Sequence, residues 1–420
     1  MFIIYAFILI IIAVISYKKI GIISPVTIFT GIWGLICLLY GLKLDLIGVD
    51  LATFKIVFLS TISFVIGYLV THFFKVKDYP SKINVMKRSV DNQKVVFKFM
   101  ITIWILISFQ FYFKLLSLFL KGFTPGQLKL LLLYGINSID VNATVVFFSW
   151  PMLYIILMIS TYYVFHKKSE RFIIIVPIIC GILHFISTGR KGVFLIYLFF
   201  LIFSFFYQQE NKKRIVFNKR IKYVIIAIIS VFIVLGIYMD EMVSSLYTYI
   251  CGCIPMLSKV MNIYFQPGTH TYGFLSFNGL VRIVNNLFEL FGNEIVNEKN
   301  IYATIYIRQF AQETNIGRSS YIPYNAFTGF MSYFYVDFGV MGVIVMSAIW
   351  GIISGYVFKK CMKQRNITNY LILGYNNFII FFSMSRFQIA DNTYAAMLVY
   401  ICLIPVLLKI LKIIIKSKRA

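Results

Sequence analysis

The chain has 420 residues, 60% of them hydrophobic and only 13% charged, with a formal net charge of +25. Soluble domains are nearer half apolar and a quarter charged, so this balance excludes a soluble globular protein. The 40 Lys and Arg against 15 Asp and Glu do not mark a nucleic-acid partner, because the cations lie in short runs between apolar stretches, where they act as topology signals.

At about 20 apolar residues per crossing, the sequence predicts an all-α polytopic protein with roughly eleven spans. In chain order these are Phe2–Tyr17, Ile22–Leu42, Thr53–Phe74, Phe99–Leu120, Thr144–Phe165, Phe172–Thr188, Val193–Tyr207, Tyr223–Met239, Phe338–Phe358, Ile367–Ser383 and Thr393–Leu411. The opening run has no basic segment before it and no small-residue cleavage site, and reads as a retained first span. Alternate loops differ in charge. One set, holding Lys18-Lys19, Lys75–Lys98, Lys167–Arg171, Lys212–Lys222, Lys359–Arg365 and Lys409–Arg419, carries about 27 of the 40 basic residues and about four acids. The positive-inside rule puts that set in the cytoplasm, with the N-terminus outside and the C-terminus inside. A bacterial cytoplasmic (inner) membrane is the expected location.

Residues 1–239 and 338–420 thus read as two blocks of spans around a long extracytoplasmic loop, 240–337. That loop holds Asp240, Glu241, His270, Arg282, Glu289, Glu294, Arg308, Glu313 and Arg318. Its last stretch, Pro323–Val336, is apolar but too short to cross, and suits a re-entrant or cavity-lining segment. An apolar run at Leu128–Tyr134, after Thr124-Pro125-Gly126, suits a half-helix on the membrane surface. Phe172–Thr188 and Val193–Tyr207 span only ~25 Å and ~22 Å by helical rise, so their four-residue tip is expected inside the outer interface.

That tip is the sharpest local signal: Ser187-Thr188-Gly189-Arg190-Lys191-Gly192. An Arg fork and a Lys point charge between glycines suit a lipid-linked diphosphate; the plainer reading is a turn with snorkelling cations. Arg282, Arg308 and Arg318 are further candidates to bind diphosphate or sugar, or to balance Glu289, Glu294 and Glu313. Arg386 and Asp391 share the last outer turn, as a ligand contact or a structural ion pair. Asp337 precedes a span and suits an N-cap or a catalytic acid or base. His270 is the outer-loop histidine, a base candidate or an inert loop residue; His184 reads as a packed core residue. The six cysteines and four histidines show no zinc spacing, and no metal or cofactor is expected. No glycine-rich nucleotide loop or nucleophile elbow is present. Transporter-type internal repeats are not visible either, and the polar residues collect at one face.

At these residues the chain resembles the O-antigen polymerase (Wzy) family. The likeness is carried by the number of spans, an early outer turn with Thr188-Gly189-Arg190, and a late large outer loop. It is strongest over Tyr324–Lys360, through Asn325, Thr328, Phe334-Tyr335-x-Asp337-Phe338-Gly339-x-x-Gly342 and Gly351/Gly355. The resemblance implies a membrane-embedded, type C glycosyltransferase-like enzyme without metal or nucleotide. It would transfer a growing glycan from undecaprenyl diphosphate onto another lipid-linked repeat unit, building O-antigen or capsule. Its partners would be undecaprenyl-diphosphate-linked oligosaccharides and membrane lipids, with a chain-length regulator and flippase of the same pathway, and no nucleic acid. Outer-loop arginines are the family's usual functional residues, which points to Arg190, Arg282, Arg308 and Arg318. A growing diphosphate charge needs fixed cations, and the acceptor hydroxyl needs a base, for which Glu289, Glu294, Glu313, Asp337 and His270 are candidates. The competing expectations are an O-antigen ligase and a lipid-linked oligosaccharide flippase.

Overall fold

A computed structural model gives the fold. It describes every residue except 43, 75–85, 135–142, 166–169, 191, 210–241, 290, 293–296, 325–327 and 418–420, and leaves out the side chains of 72, 86–92, 242–246 and 410–417. The described residues are helical almost throughout, apart from a two-residue ribbon pairing Thr314–Asn315 with Pro323–Tyr324. Eight described helices are long and apolar enough to cross a membrane: Phe2–Ile20, Leu51–Val70, Gln93–Leu120, Val145–Val164, Arg171–Thr188, Gly192–Gln209, Gly329–Lys363 and Asn392–Lys409. Pro25–Gly41 is a shorter apolar helix. The protein is therefore an all-α, multi-pass membrane protein. Of the other expected spans, Tyr223–Met239 lies outside the described residues, and Ile367–Ser383 is a 15-residue helix, Ile367–Phe381, followed by a 3-10 turn.

Two compact units make up the chain, each from several stretches. The first gathers Met1–Lys77, Met239–Lys363 and Tyr375–Ala395. Its seam is the packing of Leu51–Val70 on Gly329–Lys363. A Cβ on Gly67 would stand 2.9 Å from Ala348 Cα, and one on Gly351 2.9 Å from Tyr68 N. Bare glycines there let the two backbones touch, as small residues do between membrane helices. Aromatic rings fill the centre: Phe29 stacks on Phe64 at 3.9 Å, while Phe330 and Trp350 lie 5.2 Å apart and Phe334 and Phe387 4.9 Å. Among the polar atoms at this depth, Trp33 Nε1 donates to Ser383 Oγ at 3.0 Å and Asn377 Nδ2 to Ile23 O at 2.8 Å. Asp50 caps Leu51–Val70 by accepting from Thr53 N at 2.8 Å.

The long loop departs from its expected outline at both ends. Its start is the helical pair Met242–Cys251 and Cys253–Lys259, with Cys251–Leu257 buried. Its end is the stretch Gly329–Asp337 of helix Gly329–Lys363, where Gly329–Phe334, Val336 and Asp337 are buried. Of Pro323–Val336, the described residues are the strand pair Pro323–Tyr324, bonded to Thr314–Asn315, and a protein-covered helix from Gly329, with Thr328 N and Gly329 N donating to Ser385 O at 3.1 and 3.3 Å. The loop belongs to the same compact unit as the first three helices.

The second unit gathers Asp78–Tyr238, Gln364–Gly374 and Ala396–Ala420. Thr161, Ser204 and Tyr370 hydroxyls bond one another inside it, with Thr161 Oγ1 2.9 Å from Tyr370 Oη. Glu170, just before Arg171–Thr188, pairs with Lys98 at 2.5 Å and Lys94 at 3.6 Å; Lys98 above all holds its carboxyl below the ordinary range. The expected half-helix is Pro125–Tyr134, whose Leu128 packs with Leu115.

Candidate functional site

In the first unit, chemistry gathers around a break in a helix. Gly339 has φ 67° and ψ −156° inside Gly329–Lys363, a conformation that is costly for any residue with a Cβ. The break frees carbonyls that an unbroken helix would use. Loop 270–272 takes them: Thr271 N donates to Val336 O at 3.4 Å and Tyr272 N to Asp337 O at 3.2 Å. His270 Nδ1 also lies 3.0 Å from Val336 O. A carbonyl can only accept, so Nδ1 carries the proton, and in the neutral ring Nε2 is left with a lone pair. The ring is half-buried, tilted against Phe265 with centroids 4.8 Å apart. A Cβ on Gly339 would be 3.6 Å from His270 Cε1 and 4.0 Å from Nε2, so the broken backbone runs alongside the ring.

Asp337 does something other than cap its own helix. Its fully buried carboxylate accepts from Thr271 Oγ1 at 2.5 Å, Gly273 N at 2.8 Å, Leu275 N at 3.2 Å and Ser276 N at 3.0 Å. These amides open the turn that leads into Asn278–Glu289, so Asp337 caps that neighbouring segment. The carboxylate's acceptor sites are thereby occupied, which suits a framing role over proton transfer. Helix Glu298–Ala311 buttresses the same loop, with Tyr306 Oη 2.5 Å from Thr269 Oγ1.

The remaining candidates in this unit spread out. Arg386 Nη1 pairs with Asp391 Oδ2 at 3.1 Å, and Asp391 Oδ1 accepts from Thr393 N at 2.9 Å. That is the structural ion pair and a helix cap together. Gly279 lies against the same turn, where a Cβ would meet Asp391 O at 2.6 Å, and Arg282 follows one helical step later, half-buried. Arg308 and Arg318 are exposed. Among the described residues, Arg282, Arg308 and Arg318 form no ion pair. Glu313 is exposed and accepts from Tyr321 Oη at 3.1 Å. Glu294, Asp240 and Glu241 lie outside the described residues.

In the second unit, Gly189 ends Arg171–Thr188 in the left-handed region, φ 63°. A Cβ there would approach Lys129 Cβ to 3.1 Å, so glycine serves both the turn and the close contact with Pro125–Tyr134. Arg190 is exposed, and its guanidinium lies 3.8 Å over the Trp150 ring, a stacked cation–π contact. Arg190 N donates to Thr188 Oγ1 at 3.3 Å, which donates to His184 O at 2.6 Å. His184 is fully buried, as a core residue would be, with Nδ1 2.7 Å from Tyr112 Oη. Lys191 lies outside the described residues.

Comparison with known proteins finds no matching family profile, no similar curated protein and no similar solved structure. The residues that frame these two places but escaped sequence reasoning are Thr271, Ser276, Tyr112 and Trp150. Their partners are 40 to 72 positions away or lie in unremarkable apolar runs, and no local pattern announces them.

Proposed function

We propose that this protein is a membrane-embedded glycosyltransferase that polymerises undecaprenyl-diphosphate-linked oligosaccharide repeat units. In this reading it works on the outer face of a bacterial cytoplasmic membrane, with its N-terminus outside and its C-terminus inside. One observation carries the reading beyond the family likeness: the helix break at Gly339 holds His270 with Nδ1–H on Val336 O, which leaves Nε2 as a half-buried base in the polar loop. The acceptor sugar's hydroxyl would lose its proton to Nε2 as its oxygen bonds the anomeric carbon of the donor. The bond from that carbon to the diphosphate oxygen breaks, and the electron pair leaves with the lipid diphosphate. Arg282, Arg308 and Arg318, in the same unit as His270, are the cations proposed to stabilise that charge, and Arg190, in the other unit, is a separate candidate to bind lipid diphosphate. Asp337 frames the loop, and Glu313 and Arg386 are secondary candidates.

Deleting the gene and sizing the surface glycan tests the reading. Single-repeat glycan is the expected result. Full loss from the final acceptor would mean a ligase, and lipid-linked glycan held at the inner leaflet would mean a flippase. Topology has its own check in a cysteine-free background. A cysteine at exposed Gln312 should react with impermeant maleimide in intact cells, and one at exposed Gln364 should not.

A further inference from the structure

The Arg190 turn stands beside three buried side chains that lack a partner. Trp150 Nε1, His184 Nε2 and Ser187 Oγ have no hydrogen bond among the described residues, though Trp150 is only 4% exposed and the other two 0%. Buried polar atoms are normally satisfied, so three together in one place point to something that is not protein. They are neighbours. His184 and Ser187 are three residues apart on one helix face, the His184 and Trp150 rings are 6.1 Å apart, and Arg190 covers Trp150.

Their chemistry is one-sided. An indole N–H can only donate. Tyr112 Oη and His184 Nδ1 share a hydrogen bond in which either can donate; when the tyrosine donates, the proton of the neutral ring sits on Nε2, which becomes a second donor. Ser187 supplies a third, and the guanidinium brings charge. Glu170 stands at the far end of the same helix, ~27 Å away by helical rise, and is engaged by Lys98 and Lys94. Donors and a cation with no neighbouring carboxylate among the described residues complement an anion with several oxygens.

We propose that Trp150, His184 and Ser187 are the donors of a recessed phosphate or diphosphate site, which opens when Arg190 lifts from the indole face. Gly189 and the Thr188 hydroxyl form the hinge: the first allows the turn, and the second ties Arg190 N to the helix end. The assignment rests on the polymerase reading only for the source of the phosphate.

The test is binding to purified full-length protein in nanodiscs, with three probes: inorganic phosphate, inorganic diphosphate and a short-chain polyprenyl diphosphate. Emission of the wild type minus that of Trp150→Phe isolates Trp150 from the other three tryptophans. Binding should change that difference signal as Arg190 leaves the ring. A hydrogen bond to a charged group is worth roughly 10- to 100-fold in affinity, so Trp150→Phe and His184→Phe should each weaken diphosphate binding about that much, measured by calorimetry. His184→Gln keeps an amide N–H near the Nε2 position and should retain most of the affinity; it also serves if the phenylalanine variant fails to insert. Preference for the polyprenyl probe assigns the site to a lipid carrier, and equal binding of the inorganic probes assigns it to free phosphate; both support the site. Unchanged affinity in folded Trp150→Phe and His184→Gln together with His184→Phe or Ser187→Ala overturns it, as does a folded wild type that binds none of the probes. Failure of the polymerase reading would look different: diphosphate binding intact, and glycan length unaltered by gene deletion.

Discussion

The two candidate regions differ in what their charged side chain does. At Asp337 one carboxylate holds four donors and the carbonyls freed at the helix break are taken by loop 270–272, although Ser276 Oγ and Asn278 Nδ2 beside it have no partner among the described residues. Around Arg190 the backbone turn is well tied, yet three buried donors nearby are not. A saturated network fixes geometry, because any loss strands several groups at once. An unsaturated one has capacity left for a ligand. The contrast separates an Asp337 whose carboxylate is used up in holding a loop from an Arg190 whose guanidinium is exposed over an indole, although both carry charges in polar turns. It is broken or sharpened by removing groups on each side and asking whether folding or function fails.

The largest effect is expected at Asp337. Asp337→Ala removes the partner of three backbone amides and the Thr271 hydroxyl, and each stranded buried donor costs about 1–3 kcal/mol. The total is a large share of an ordinary domain's stability of about 5–15 kcal/mol. Monodisperse protein recovered after extraction should fall sharply, and Asp337→Asn, which keeps one acceptor oxygen, should fall between alanine and wild type. An alanine variant that is stable but inactive would reverse the roles and make Asp337 a chemical participant.

His270→Ala should do the converse, leaving membrane levels close to normal while transfer falls ~10²–10⁴-fold, the usual contribution of a general base. Glycan ladder length beside protein level gives both readings. Arg190→Ala follows at ~10²–10³ in rate, as for one lost donor in a preorganised anion site. Arg190→Lys keeps the charge without the fork and should retain short chains. A full-length ladder from Arg190→Ala would reduce the turn to an interfacial anchor.

Gly339→Ala comes next and isolates the backbone. A Cβ would meet His270 only at ordinary contact distance, 3.6 Å, so the penalty is conformational: about 1–3 kcal/mol for a backbone region that essentially only glycine visits. The helix gains a reason to close through residue 339, which would displace loop 270–272 from Val336 and Asp337. Activity should therefore drop more than stability, and hydrogen exchange at Thr271 and Tyr272 should quicken. Equal loss of both would mean that the break only relieves packing.

These elements also show what the sequence could and could not reveal. Apolar length was enough to find the eight long apolar helices of the described residues, because each span satisfies its own backbone and needs no distant information. The Arg190 turn was legible for the same reason, since glycines and cations are adjacent in the chain. Asp337 stood out, but its direction did not: helix Gly329–Lys363 continues before and after it, and a glycine with positive φ looks like any other glycine in an apolar run. The orientation of His270 was invisible, since its partner Val336 is 66 residues away. Trp150 was hidden for a related reason, as it resembles any aromatic residue of a span until Arg190 is folded onto it.

The smallest effect belongs to Asp45, which ties the two-stranded ribbon to the loop between Pro25–Gly41 and Leu51–Val70. Its backbone is left-handed, φ 59°, and its carboxylate accepts from Ser319 N at 2.9 Å and from the Ser319 and Ser320 hydroxyls. Its carbonyl accepts from Arg318 N at 2.8 Å. The Ser319 hydrogen bond, then that of Ser320, brings the carboxyl down to about 2. A carboxyl whose folded pKa is depressed stabilises the fold above its unfolded value, about 3.9, and loses that contribution as pH falls through the folded value. The tie is therefore intact from pH 5 to 8 and weakens only in strong acid. Asp45→Asn should reproduce the acid condition at neutral pH, apart from the Asp45 carbonyl bond, which it keeps. Because the group is exposed, the change should show locally, as faster proteolysis within 313–324, with melting temperature and glycan length nearly unmoved. A marked loss of glycan length at normal protein level would place the ribbon, with Arg318 on it, at the substrate and move part of the chemistry away from the His270 frame.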